Sequence, residues 1–305
     1  MYAVPDQSSR RVVVTGSNSG TGKEAAKRLA AAGAQVVMAV RNQAKGEAAR
    51  DEILASHPGA DIEIRHLDLA DLSVVREFAA ALAADPRPLH VLVNNAGVMT
   101  PPDRELTADG HELQWGSNFL GPFALTNLLL PKLLASDAPR VVTMSSGMAH
   151  VGRIRFKDLD WEKGYSAVPS YAQSKLANLL MGMHLARVAG ARGWSLLSTI
   201  AHPGYTNTNL QTAGAQLGSG RPTVMSRALK LGVVPSQEVE TGAEPMLFAA
   251  VDPQAVNGGF YGPSRKFSMV GPTTRVEPLA SARGASLGRS LWAVAEDITG
   301  TRLPV

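Results

Sequence analysis

Tyr171 and Lys175 stand four residues apart in a stretch with helical character, so they share one helix face. A phenol is a poor acid or base near neutrality, because its pKa lies near 10. An ammonium beside it favours the phenolate and lowers that pKa. The pair could then serve as a general acid/base. Upstream, Ser145 and Ser146 close a β-branched run, where a serine hydroxyl could hold a carbonyl oxygen. A second set of residues suits phosphate. Thr15-Gly16-Ser17-Asn18-Ser19-Gly20-Thr21-Gly22 joins a β-branched run to an alanine-rich one. Gly16 allows a sharp turn, Gly20 lets backbone approach a pyrophosphate, and Gly22 lets a helix sit close to the strand. The helix N-terminus adds free N–H groups and a positive dipole end. About twenty residues beyond such a turn, a carboxylate commonly holds a ribose 2′-hydroxyl. Here Val40 takes that slot and Arg41 follows. A guanidinium suits a 2′-phosphate, so NADP(H) is expected over NAD(H).

These groups need elements to position them. Strands are predicted over residues 11–15, 35–39, 62–66, 89–94, 140–145 and 196–201. Helices are predicted over 20–32, 43–56, 72–84, 106–135 and 170–189. The strands are continuously apolar, as in a parallel sheet buried on both faces. Their alternation with helices predicts an α/β fold with a Rossmann-type doubly wound sheet. Ligands bind such sheets at the C-terminal ends of the strands, which is where the glycine turn and the serine pair fall. Farther along, a helix is expected over 236–251 with Glu238, Glu240 and Glu244 exposed, a last short strand over 260–262, a loop over 264–284 and a helix over 286–299. One domain over 1–305 is expected, with a substrate lid over about 206–235 and a C-terminal extension over about 264–305.

Composition narrows the chemistry. The 305 residues include no cysteine, which removes thiolate nucleophiles, disulfides and iron–sulfur clusters. The seven histidines are scattered without a His-Glu-x-x-His pair, so each is expected in a loop or at the surface and no metal site is expected. The net charge of +4 is dispersed and aromatics are 5%, which argues against a nucleic-acid groove. Apolar runs fall short of a membrane span, so a cytoplasmic protein without membrane insertion is expected.

Taken in order, the motifs resemble the short-chain dehydrogenase/reductase family. The resemblance covers roughly residues 11–210. It rests on the turn Thr15–Gly22, the pair Asp68-Leu69, Asn94-Asn95-Ala96-Gly97, Asn118 in Ser-Asn-Phe-Leu-Gly, the Ser/Tyr/Lys set, and Pro203-Gly204-Tyr205-Thr206-Asn207-Thr208. It implies catalytic roles for Asn118, Ser146, Tyr171 and Lys175, with Ser146 preferred over Ser145. It also implies cofactor contacts from Gly16, Ser17, Ser19, Gly20, Thr21, Gly22 and Arg41. Asp68, Leu69, Asn95, Ala96, Gly97, Tyr171, Lys175, Pro203, Gly204, Thr206 and Thr208 complete that set. The long stretch between Ser146 and Tyr171, Ser174–Asn178 and Leu291-Trp292 resemble the retinol-dehydrogenase-like branch. Tyr165 is a rival tyrosine without a lysine four residues later.

The resemblance implies an NADP(H)-dependent oxidoreductase that interconverts a carbonyl and an alcohol, with Tyr171 exchanging the proton. Apolar residues in the lid, with Met148, Val151 and Trp161 on an opposite wall, suggest a lipophilic small-molecule substrate. Two other readings stay open: an extended-family epimerase or dehydratase, and a non-catalytic NADP-binding redox sensor. A homodimer or homotetramer through helices 106–135 and 170–189 is expected. Leu176, Leu179, Leu180 and Met183 are left open between interface and core.

Overall fold

The computed structural model describes residues 1–206, 235–278 and 280–304. Strands β1 (Arg11–Thr15), β2 (Gln35–Val40), β3 (Ile62–His66), β4 (Val91–Asn94), β5 (Arg140–Met144) and β6 (Leu197–Ala201) are joined by helical crossovers. Two further strands, β7 (Phe260–Arg265) and β8 (Val270–Arg275), extend the sheet to the order β3-β2-β1-β4-β5-β6-β7-β8. Pairing is parallel from β3 to β7 and antiparallel between β7 and β8. The order reverses beside β1, which opens a crevice between the ends of β1 and β4.

The period of two in each strand feeds two cores. Val13, Val37, Leu92 and Val141 lie in register and face one helical layer. Helix α3 (Leu72–Ala84) belongs to that layer. Val12, Val14, Val36, Met38, Val91, Val93 and Val142 face the other, with helix α1 (Gly20–Ala31) and helix α2 (Gln43–Ser56) on that side. The continuous valine runs are thus buried on both faces, as a covered parallel sheet requires.

The helix predicted over 106–135 is shorter and broken. Leu106 instead bridges to Glu112 across a turn, in which Gly110 takes φ +84°. Helix α4 (Leu113–Trp115) begins only after that turn. It passes into a π-helical stretch (Gly116–Leu120) and then α5 (Gly121–Leu134). Helix α6 (Ala167–Arg192) is longer than predicted and ends on Gly193 in the left-handed region.

The C-terminal third departs further. The expected helix 236–251 is two helices, α7 (Val239–Gly242) and α8 (Glu244–Val251), that meet at Ala243 ahead of Pro245. Glu244 is buried, not exposed, because it accepts the Tyr2 backbone N–H at 2.7 Å. The expected loop 264–284 contains β8 and a short helix, α9 (Ala280–Arg283). Gly271 and Pro272 hide that strand from a propensity reading. An edge strand tolerates them, since its outer N–H groups need no partner. The lid expected over 206–235 lies outside the described residues beyond Thr206, except for its last residue.

Helix α10 (Ala285–Thr299) packs across α5 and α6. Trp292 meets Phe123 edge-on at 4.7 Å and His184 at 5.0 Å. Leu176, Leu179 and Leu180 are buried in the same cluster, and Met183 packs against it, so all four belong to the core. Trp292→Ala is expected to cost about 3–5 kcal/mol of stability, read as a drop in the midpoint of chemical unfolding.

Candidate active site

At the end of β1 the chain turns through Gly16 (φ +65°) and Gly20 (φ +55°) into α1. A Cβ on Gly16 would sit 2.8 Å from Ala96 Cα, and one on Gly22 would sit 2.6 Å from the Gly16 carbonyl oxygen. The turn is therefore as tight as the spacing predicts. Asn95 fastens it to β4. Its Nδ2 donates to Thr15 O at 2.9 Å, and its Oδ1 accepts from Thr21 Oγ1 at 3.2 Å. Thr15 Oγ1 accepts the N–H groups of Asn95 and Ala96, each at 3.0 Å. Ser17 is buried and donates to Val14 O at 2.9 Å. The Ser17 and Thr21 hydroxyls thus shape the turn itself. Helix α1 has no acidic residue in its first turn, and the Ser19 side chain makes no capping bond.

A cleft of about 560 Å³ runs from this turn past Arg41, Asp68, Leu69 and Gly97. Two residues missed in the sequence also line it. Lys45 lies in the first turn of α2, whose N-cap Asn42 directly follows Arg41, so a second cation close behind Arg41 in the sequence was the available signal. Ser117 carries a buried hydroxyl with no hydrogen-bond partner among the described residues. Asp68 spends one oxygen on the Ala70 N–H at 2.9 Å.

The second cluster gathers at the ends of β4, β5 and β6. Asn118 lies in the π-helical stretch, a feature common at functional sites. Its Oδ1 accepts Val98 N–H at 2.7 Å, and its Nδ2 donates to Val98 O at 2.9 Å and Ser174 Oγ at 3.0 Å. Lys175 is 4% exposed and donates to Met144 O at 3.3 Å. A Cβ on Gly97 would lie 3.0 Å from Asn118 Oδ1 and 3.4 Å from Lys175 Nζ, so a side chain there would press on both groups. The two serines separate clearly. Ser145 donates to the Lys175 carbonyl at 2.8 Å, whereas Ser146 Oγ accepts the Met148 N–H at 3.2 Å and is the hydroxyl that acts on the Tyr171 phenol.

The sequence expectation for the Tyr171 pKa is reversed. Burial pushes the phenol up to about 12, and the Ser146 hydrogen bond only partly offsets this. Lys175 lies 5.7 Å from the ring centroid, and burial lowers its own pKa to about 8. Burial is the largest effect on both groups, so Tyr171 rests as a protonated donor.

Pro203 and Gly204 follow β6. Gly204 takes φ +64° against the Met269 carbonyl, which accepts the Tyr205 N–H at 2.8 Å. Thr206 Oγ1 donates to Pro203 O at 2.6 Å. Thr208 lies outside the described residues. His202 and His90 are buried, contrary to expectation. His202 Nδ1 accepts the Gly204 N–H at 3.3 Å, and burial pushes the ring down to about 4. Among the described residues, no three His, Asp or Glu side chains cluster in a way that could hold a metal.

The long stretch before Tyr171 is fastened to its surroundings. Tyr165 donates to Pro101 O at 2.9 Å, and Gln173 donates to Leu159 O at 2.9 Å. Trp161, expected in a substrate wall, is buried with the Arg155 guanidinium 4.1 Å above its ring. Val151 is 68% exposed and Met148 half-buried. Asp160 accepts from His111 Nδ1 at 3.1 Å and from Glu112 N–H at 3.1 Å. The Asp160 hydrogen bond raises His111 above its ordinary 6.5, against burial and with help from Asp109. A raised folded value means stability fully present below 6.5 and lost as pH rises through that value. The melting-temperature gap between the native protein and His111→Gln is therefore expected to be widest below pH 6.5 and to narrow as the pH rises above it.

Comparison with known proteins agrees with this geometry. The family profile described as short chain dehydrogenase matches residues 10–216. The chain is 39% identical to mouse polyprenol dehydrogenase over 303 residues, covering 97% of this chain and 86% of that protein. It is 46% identical to human retinol dehydrogenase 11 over 199 residues, covering 65% of this chain and 62% of the relative. A crystal structure of a protein from Mycobacterium paratuberculosis superposes with TM-score 0.81 at 40% identity, covering 99% of this chain and 97% of that one. A Beutenbergia cavernae dehydrogenase crystallised with bound NADP superposes with TM-score 0.66 at 28% identity, covering 84% and 95%. With its doubly wound sheet, its glycine turn and these relatives, the chain belongs to the short-chain dehydrogenase family, in the retinol-dehydrogenase-like branch.

Proposed function

We propose that the protein is an NADP(H)-dependent oxidoreductase that interconverts a lipophilic ketone or aldehyde and its alcohol. The observation that carries this reading is the convergence of Ser146, Tyr171, Lys175 and Asn118 beside the glycine-turn cleft. The cleft fits the cofactor. Side chains on Gly16 and Gly22 would collide with Ala96 and with the Gly16 carbonyl, so the turn that lines the cleft keeps its shape only with glycine there, and the first turn of α1 carries no acidic residue to repel a pyrophosphate. The unpaired Ser117 hydroxyl adds a polar contact on the cleft wall. Arg41 and Lys45 supply two cations for a 2′-phosphate. Asp68, Leu69, Asn95, Ala96, Pro203, Gly204, Thr206 and Thr208 are assigned to the same cofactor.

When bound, NADP(H) supplies or accepts the hydride. Ser146 holds the substrate oxygen. In the direction of reduction, Tyr171 gives its hydroxyl proton to that oxygen as the alkoxide forms, which suits a phenol kept protonated by burial. Lys175 then stabilises the phenolate left behind. Asn118, tied to Val98 and Ser174, holds the backbone beneath the ammonium. The names of the retinol and polyprenol relatives support a lipophilic substrate. No helix among the described residues is long and apolar enough to cross a membrane, which is compatible with a cytoplasmic enzyme. One domain over 1–305 and a homo-oligomer belong to the same proposal.

Loss of NADPH absorbance with a panel of carbonyls tests the reading. Tyr171→Phe is expected to lower kcat by about 10²–10⁴-fold while NADPH still binds. Undiminished turnover in that variant would overturn the proposal. Replacing both Arg41 and Lys45 with serine is expected to raise the KM for NADPH about tenfold or more and leave that for NADH unchanged, because charge-assisted hydrogen bonds are lost.

A further inference from the structure

Glu112 is 0% exposed, yet no lysine or arginine pairs with it among the described residues. Burying a lone carboxylate is costly, so its partners must compensate. Its Oε1 accepts the Gln114 N–H at 3.0 Å and its Oε2 the Trp115 N–H at 2.8 Å, which caps α4. A serine or aspartate would suffice for that cap alone. The longer glutamate also reaches the first turn of α6, where Ser170 Oγ donates to Oε2 at 2.8 Å. One carboxylate thus sits at the positive ends of two helices.

Two more rungs join the same pair of elements. Gln114 Nε2 donates to Ala167 O at 3.0 Å, and Asn118 Nδ2 donates to Ser174 Oγ at 3.0 Å. One side of this ladder carries Asn118, and the other carries Tyr171 and Lys175. Ser170 immediately precedes Tyr171, so a shift at that rung moves the phenol directly.

We infer that Glu112 and Ser170 are positioning residues that set Tyr171 against Ser146 and Asn118 by locking the start of α6 onto the start of α4. The inference rests on the proposed carbonyl–alcohol chemistry. Displacement of about 1 Å at a reacting group costs on the order of 100-fold in rate. Partial loosening by Ser170→Ala is therefore expected to lower kcat about tenfold and leave the KM for NADPH within about twofold. Ser170→Thr, which keeps the hydroxyl, restores kcat. Glu112→Gln and Ser170→Ala combined lower kcat no further than the worse single variant, since they break one interaction.

A readout independent of turnover accompanies these. The Tyr171 phenol is titrated by ultraviolet difference absorbance, with Tyr171→Phe as the blank. Ser170→Ala is expected to move it from about 12 towards the ordinary value of 10 as water gains access. A lowered melting temperature with unchanged kcat and unchanged Tyr171 titration would show that the rung is merely structural and overturn the inference. Absence of turnover by the native protein with every carbonyl would instead sink the proposed function, and the titration would still decide the positioning.

Discussion

A lysine ammonium buried without a carboxylate beside it is expensive, and much of this structure arranges that situation. Lys175 is compensated by the Met144 carbonyl and surrounded by Gly97, Asn118 and the Tyr171 ring. None of these is an anion, so the ammonium stays poorly neutralised and holds its proton less tightly. To keep it there, α6 must be buried along most of its length. The sheet covers one side, α4 and the π-helical stretch another, and α10 a third. A carboxylate beside it would neutralise the ammonium but would quench the charge that the proposed phenolate calls for.

The register of the sheet is what brings distant segments to that lysine. Thr15↔Ala39, Asn94↔Thr143 and Met144↔Ala201 lie near the C-terminal ends of their strands. The glycine turn, the Asn95 loop, the serine pair and the Pro203 turn therefore emerge along one edge. Each turn is then closed by side chains from its neighbour. Asn95 holds the β1 turn, and Ser145 anchors α6 to the end of β5. The edge is better described as cross-laced loops than as independent motifs on a scaffold.

The sequence made the parallel strands legible, because Val12–Val14, Val36–Val37 and Val91–Val93 leave no polar face. Gly16, Gly22, Tyr171 and Lys175 were readable as types at the expected spacing, whereas Asn118 and the choice of Ser146 over Ser145 came from the family resemblance. What stayed hidden depends on tertiary contact. The sign of the Tyr171 shift follows from burial, which the four-residue spacing to Lys175 does not encode. The π-helical stretch has no compositional mark, since its longer hydrogen bonds use ordinary residues. Strand β8 was masked by Gly271 and Pro272, and nothing in the residues around Glu112 marks that its helix starts beside α6.

The packing of α10 has a consequence for how the chain is made. Helix α6 emerges from the ribosome long before the helix that covers it. Throughout that interval Phe123 and His184 lack the Trp292 side of their contact. The nascent sheet can pair its seven parallel strands, but its central helical layer stays open to water and to other chains. Closure waits for a late segment. The fold is thus completed in a fixed direction, and the interval before closure is when a chaperone would have apolar surface to hold.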